Sequence, residues 1–182
     1  MSAGGLDDSI APDDPIRSAE ALAEGDKVVY PGHGPCGIGR LVKKVVDGRS
    51  MMFYHLTVLD DSGGELFVPI EKARATGLRL LMKKSEIPRL LAHLKKGART
   101  ADSWKERASD NMKLLATGSP FDLAEIIASL TELGDRRSLT LGESGTLSRA
   151  RRLLVCEISE VTGEPKTIAE EQVDQALKAK TI

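Results

Sequence analysis

Gly25-Asp26-Lys27-Val28-Val29-Tyr30-Pro31-Gly32-His33-Gly34, with the residues that follow it to Leu59, is the stretch that sets the fold. Lys27-Val28-Val29-Tyr30 reads as a short strand, ended by Pro31, which has no N–H to offer a ladder. Residues 36–46 read as a second strand, and Asp47-Gly48 after them is a two-residue hairpin signal, because such a turn needs positive φ at both positions. From 51 to 59 the residues alternate, with Met52, Tyr54, Leu56 and Val58 on one face and Met51, Phe53, His55 and Thr57 on the other. Asp61-Ser62-Gly63-Gly64 turns the chain again, and residues 65–68 return before Pro69. No helix in this half is long enough to cover a sheet face. Short strands joined by tight turns predict a small barrel, a binding module by architecture.

From Ser85 the period becomes helical. Ser85 is the expected cap of a helix carrying Leu90, Leu91 and Leu94 and ended by Gly97. A second helix over about 102–117 puts Trp104, Ala108, Met112 and Leu115 on one stripe, with Gly118 just past its end. Ser119 is the expected cap of a third, with Pro120 first, Asp122 in its opening turn, and Leu123, Ile126, Ile127 and Leu130 buried. Thr140-x-x-Glu143 is a capping box for a long fourth helix carrying Leu147, Ala150, Leu154, Ile158 and Val161. Thr167-x-x-Glu170 is another, for a last helix with Val173 and Leu177. The expectation is a two-domain α+β chain: a disordered acidic leader (1–21), a small SH3/Tudor-like β-barrel (22–82) and a compact all-α helical domain (84–182).

Composition agrees with a globular chain. Of 182 residues, 41% are hydrophobic and only 3% aromatic, so aliphatic side chains must build most of the core. No run approaches the ~18 apolar residues of a membrane span. The N-terminus has acids where a signal peptide needs a basic and then an apolar region. Two cysteines, Cys36 and Cys156, make no disulfide framework and fit a reducing cytoplasm. The net charge of −1 hides three blocks: −6 over residues 1–26, +8 over 27–113 and −3 over 114–182. The middle block is either a footprint for an anionic partner or a lysine-rich solvated surface.

The catalytic candidates are thin. Gly32-His33-Gly34-Pro35-Cys36-Gly37 lacks the Lys-Ser/Thr of a phosphate loop and reads as a tight connection. His33 and Cys36 offer two metal ligands where zinc takes three or four, and His55, His93 and Cys156 add no matching spacing. Cys36 as nucleophile with His33 as base has no third group to orient it. Cys156, among Leu153, Leu154 and Ile158, reads as a buried inert thiol. Neither an enzyme nor a cofactor or metal site is expected. Trp104 has two readings. It continues an apolar stripe and could anchor its helix to the core. Flanked by Lys105 and Arg107, with Lys113 further along, it could equally be an exposed wedge against nucleic acid, although Glu106 and Asp110 share its turns.

Several segments together resemble the CarD/CdnL family. They are the Gly25–Gly34 run, Phe67-Val68-Pro69-Ile70-Glu71-Lys72-Ala73 with Gly77-Leu78-Arg79, and Trp104-x-x-Arg107. Leu114, Ala116 and Gly118 before Leu123-Ala124-Glu125-Ile126-Ile127 continue the match. It closes with Leu139-Thr140-Leu141-Gly142-Glu143 leading to Leu147, Ala150-Arg151 and Leu153-Leu154. The likeness covers about residues 22–180, and its order makes it specific. It implies a bacterial transcription regulator. A Tudor-like domain, shared with the transcription-repair coupling factor, would bind the β subunit of RNA polymerase. A helical domain would meet promoter DNA at the upstream edge of the transcription bubble, where a tryptophan wedges at the minor groove and stabilises the open complex without reading base sequence.

By position the resemblance assigns the wedge to Trp104 and nearby phosphates to Lys105 and Arg107, with Lys113 and Arg149 as further DNA-binding candidates. It assigns polymerase binding, partly by edge pairing, to Lys44 and Val46 on the second strand and Phe67 and Pro69 on the fourth. Phe67 could otherwise be barrel core. Family members often follow the tryptophan with a pair of arginines and an aromatic, and here Glu106 and Ala108 stand at two of those positions; Ser144 and Gly145 stand where lysines often follow the Gly-Glu helix start. Each lost phosphate contact lowers the salt slope by ~0.9 log unit on duplex DNA. The expected state is a cytoplasmic monomer, on the nucleoid through RNA polymerase, with no membrane partner.

Overall fold

The computed structural model describes residues 22–97 and 103–179, in which five strands precede five helices. The expected acidic leader and the residues just before Ser103 lie outside the described residues. The strands are β1 (Lys27–Tyr30), β2 (Gly34–Val46), β3 (Arg49–Val58), β4 (Glu65–Pro69) and β5 (Arg79–Leu80). They form one antiparallel sheet in the order β4-β3-β2-β1-β5. Asp47 and Gly48 take φ of 49° and 76°, the left-handed pair that the hairpin signal required. Tyr54, Leu56 and Val58 of the alternating set are buried with Val28, Cys36, Ile38 and Val68 in one core.

Met52, on the same face, is exposed. The reason is length: β1 pairs with β2 only as far as Gly37, and the β2–β3 hairpin runs on past a register shift between Ile38 and Leu41. The sequence pattern did not contain β5. Its two residues pair with Val28 and Val29, and a strand that short has no period to read.

The helices are α1 (Ile87–Lys95), α2 (Trp104–Thr117), α3 (Pro120–Arg136), α4 (Leu141–Thr162) and α5 (Lys166–Lys178). Two start signals are corrected. Ser85 does not cap α1: it sits inside a 3-10 turn, Lys84–Glu86, closed by the Glu86 carboxylate accepting from the Lys83 N–H at 2.8 Å. The helix then begins at Ile87 with Pro88 in its first turn, where a missing N–H costs nothing. Thr167 does not cap α5 either. Gly163 ends α4 in the left-handed region, and Pro165, two residues on, already holds the start of α5, its carbonyl accepting from Ile168 and Ala169. The Thr140–Glu143 box forms as expected, with Glu143 N–H donating to Thr140 Oγ1 at 3.2 Å and Thr140 N–H to Glu143 Oε2 at 2.9 Å.

Leu90 and Leu94 of α1, Ile126, Ile127 and Leu130 of α3, Leu154 and Ile158 of α4 and Val173 of α5 make a second core. Each such side chain contributes about 1.5–3 kcal/mol by burial. The sheet and the helices meet along a seam. Lys27 reaches Glu160 at 2.7 Å, Lys166 reaches Asp61 at 3.2 Å, and Arg79 of β5 forms an ion pair with Glu157 of α4 at 2.8 Å.

Candidate functional site

Two exposed aromatic residues, one on each domain, stand out because nothing in the fold needs them at the surface. On the sheet it is Phe67 of β4, 42% exposed. Register puts Phe67 opposite His55 of β3, and the two rings stack with centroids 4.9 Å apart. Lys44 of β2 also lies over the Phe67 ring, its Nζ 3.4 Å from the centroid, a cation–π contact. Val46, Val45, Leu41 and Met52 on the projecting hairpin are exposed as well. Phe67 is therefore not core. The structure brings Lys44 and Phe67 into contact, sets Pro69 opposite Phe53 at the end of the same strand, and puts Val46 at the hairpin end. A patch with apolar side chains, a cation and a β4 edge that is unpaired among the described residues can take another strand and grip its side chains.

On the helices it is Trp104, the first residue of α2 and 65% exposed. The apolar stripe of α2 turns out to be split. Leu115 is buried, while Trp104, Ala108 and Met112 face outward. Lys105 lies 5.7 Å from the indole centroid. Arg107, three residues on, does not join it at the surface: it turns to Glu143 at 3.8 Å and is mostly covered. Glu143 also takes Arg137 at 2.8 Å. The Arg137 guanidinium, with the Thr140 N–H behind it, holds the Glu143 carboxyl down at about 2. This ion cluster ties the first turn of α2 to the first turn of α4. It also brings to Trp104's end of the domain Leu141, which is 92% exposed and was not singled out as a site by sequence. A leucine at the first position of a capped helix is a signal that could have found it.

The other two DNA candidates lie elsewhere. Lys113 is exposed but more than two turns along α2, 3.7 Å from Asp110. Arg149 points to the seam and donates to the Gly32 carbonyl at 3.2 Å. The loop that carried the thiol alternative does not assemble. His33 is exposed against the Tyr30 ring, whereas Cys36 is fully buried, its thiol directed at the Gly34 carbonyl. Burial pushes the Cys36 thiol up to about 11, so it carries its proton at neutral pH. Burial also raises Cys156. Among the described residues, no three His, Cys, Asp or Glu side chains converge as a metal would need.

The match to known domains follows this two-part geometry. Residues 22–82 match the CarD-like/TRCF RID domain, and residues 89–174 match the CarD C-terminal domain. The chain belongs to the CarD/CdnL family. As a CarD-family protein it is a transcription-related regulator that interacts with RNA polymerase. No helix among the described residues of this CarD-family chain is long and apolar enough to cross a membrane.

Proposed function

We propose that the chain tethers to the β subunit of RNA polymerase through the Lys44, Val46, Phe67 and Pro69 face, and lengthens the life of the open promoter complex by placing Trp104 at the upstream edge of the bubble. The observation that carries this reading is the exposure of Trp104 at a helix start, where the free protein gains little from it. An indole against an unstacked step gains about 1–3 kcal/mol. A twofold to tenfold longer lifetime needs only ~0.4–1.4 kcal/mol. Lys105 then sits on a nearby phosphate, and the contact is to the minor groove and the backbone, without base readout. The protein acts as a monomer in the cytoplasm and joins the nucleoid through the polymerase.

Capture of the purified N-terminal lobe of the β subunit by the full chain, wild type against Phe67→Ala, tests the tether. Capture by wild type and its loss in the variant is expected. Equal capture by both would remove Phe67 from the interface, and no capture by wild type would remove the tether. One observation favours a second reading, an adaptor that uses the sheet without touching DNA: Arg107 and Arg149 are already engaged within the chain, by Glu143 and by the Gly32 carbonyl. That reading leads if Trp104→Ala leaves transcription unchanged while Phe67→Ala abolishes it.

A further inference from the structure

Glu157 is the one charged residue buried among the described residues, 1% exposed in the C-terminal third of α4. Both of its oxygens are taken by the other half of the molecule. Arg79 of β5 grips it in a fork, Nη1 to Oε1 and Nη2 to Oε2, each at 2.8 Å. The Met82 N–H, on the connection between the domains, donates to Oε1 at 2.8 Å. The same guanidinium donates from Nη2 and Nε to the Gly118 carbonyl, at 2.6 and 3.2 Å. Gly118 ends α2, and its carbonyl is one of the acceptors a helix terminus leaves without an internal partner. One ion pair thus joins the sheet, the interdomain connection, the end of the tryptophan helix and α4.

A buried pair of this kind is a poor source of stability, because desolvating two charges offsets most of their attraction. What a planar two-point fork does supply is a fixed angle. Pro31 supports it, seated so closely that a Cβ on Gly118 or Gly77 would come within 3.0 Å of its ring. α2 then runs 14 residues, about 20 Å, from this anchor to Trp104.

We infer that Arg79 and Glu157 are positioning residues: they clamp the base of the tryptophan helix to the polymerase-binding sheet, so that docking the sheet aims Trp104. The inference rests on the function proposed above, and it adds that the two domains act as one rigid ruler. The clamp touches neither proposed partner.

The test uses the full chain as Arg79→Lys and Glu157→Gln. It reads β-subunit capture, open-complex lifetime and the spread of distances between a dye on the β2–β3 hairpin and one on α2. Expected are capture within about twofold of wild type, a broadened distance distribution, and a lifetime cut to that of Trp104→Ala. Adding either change to Trp104→Ala should cost nothing more. An unchanged distribution, a wild-type lifetime, or losses that multiply with Trp104→Ala would each overturn the inference. Should Glu157→Gln fail to melt cooperatively, Arg79→Lys, which keeps the charge and loses the fork, decides alone. A wild-type lifetime for Trp104→Ala itself would sink the DNA-wedge reading instead, while the distance distribution still judges the clamp.

Discussion

Gly118 and Gly163 end α2 and α4 with nearly the same backbone, φ of 66° and 75°, yet their surroundings differ. An alanine in the left-handed region costs about 1–2 kcal/mol wherever it stands. At Gly163 nothing lies within 4 Å of the added Cβ, so Gly163→Ala should cost that much and no more. At Gly118 the Cβ would meet three atoms of Pro31 at 3.0–3.1 Å, one of them Cα, which cannot swing aside as a side-chain tip would. Overpacking of this sort adds about 1–3 kcal/mol, so Gly118→Ala should cost about 2–5 kcal/mol in all. Urea unfolding at equal m-value measures the difference directly. Equal losses, within about 0.5 kcal/mol, would refute the claim that the end of the tryptophan helix is seated tightly on the β1–β2 loop.

Three further outcomes follow from the site chemistry. Neither Cys36 nor Cys156 should react with a maleimide at pH 8 in the folded protein, since both thiols are buried and held protonated; fast native labelling of Cys36 would show that its pocket opens. Glu143 has its carboxyl lowered from 4.5 to about 2, so the stability it contributes is present above pH 4.5 and is lost as pH falls to about 2. Glu143→Gln should therefore cost roughly 1 kcal/mol at pH 7, for a charged pair that is mostly but not fully covered. Its unfolding midpoint should converge on wild type near pH 2, and a gap that stays constant would contradict the assignment. Leu141→Ala should change stability by less than about 0.5 kcal/mol, as befits a side chain that touches little, and a larger loss in urea unfolding would mean it is covered in solution.

The sheet was readable because strands one face deep alternate, and Asp47-Gly48 fixed where the hairpin turned. The α4 start was readable because Thr140 and Glu143 satisfy each other locally. Signals failed where a neighbour in sequence pre-empted them, as Pro165 did for Thr167 and the turn before Pro88 did for Ser85. Of the site, the residues in the β-face share one sheet: register sets Lys44 opposite Met51 and Phe67 opposite His55 on one face, and the long lysine side chain spans the remaining distance to the ring. The partners of Arg107 and Arg149 were not legible because Glu143 and the Gly32 carbonyl lie 36 and 117 residues away, beyond any local pattern. The clamp was invisible for the same reason, with Arg79 and Glu157 separated by 78 positions. A lone acid within the buried run from Leu153 to Ile158 was the trace it left in the sequence.

The lifetime of the open complex under competitor challenge, with polymerase saturated by wild type or by Trp104→Ala, tests the account most directly. Wild type should lengthen it twofold to tenfold, worth ~0.4–1.4 kcal/mol, and Trp104→Ala should return it to that of polymerase alone while β-subunit capture persists. Equal lifetimes for the two proteins, with capture intact, would contradict the claim that Trp104 is what holds the bubble open.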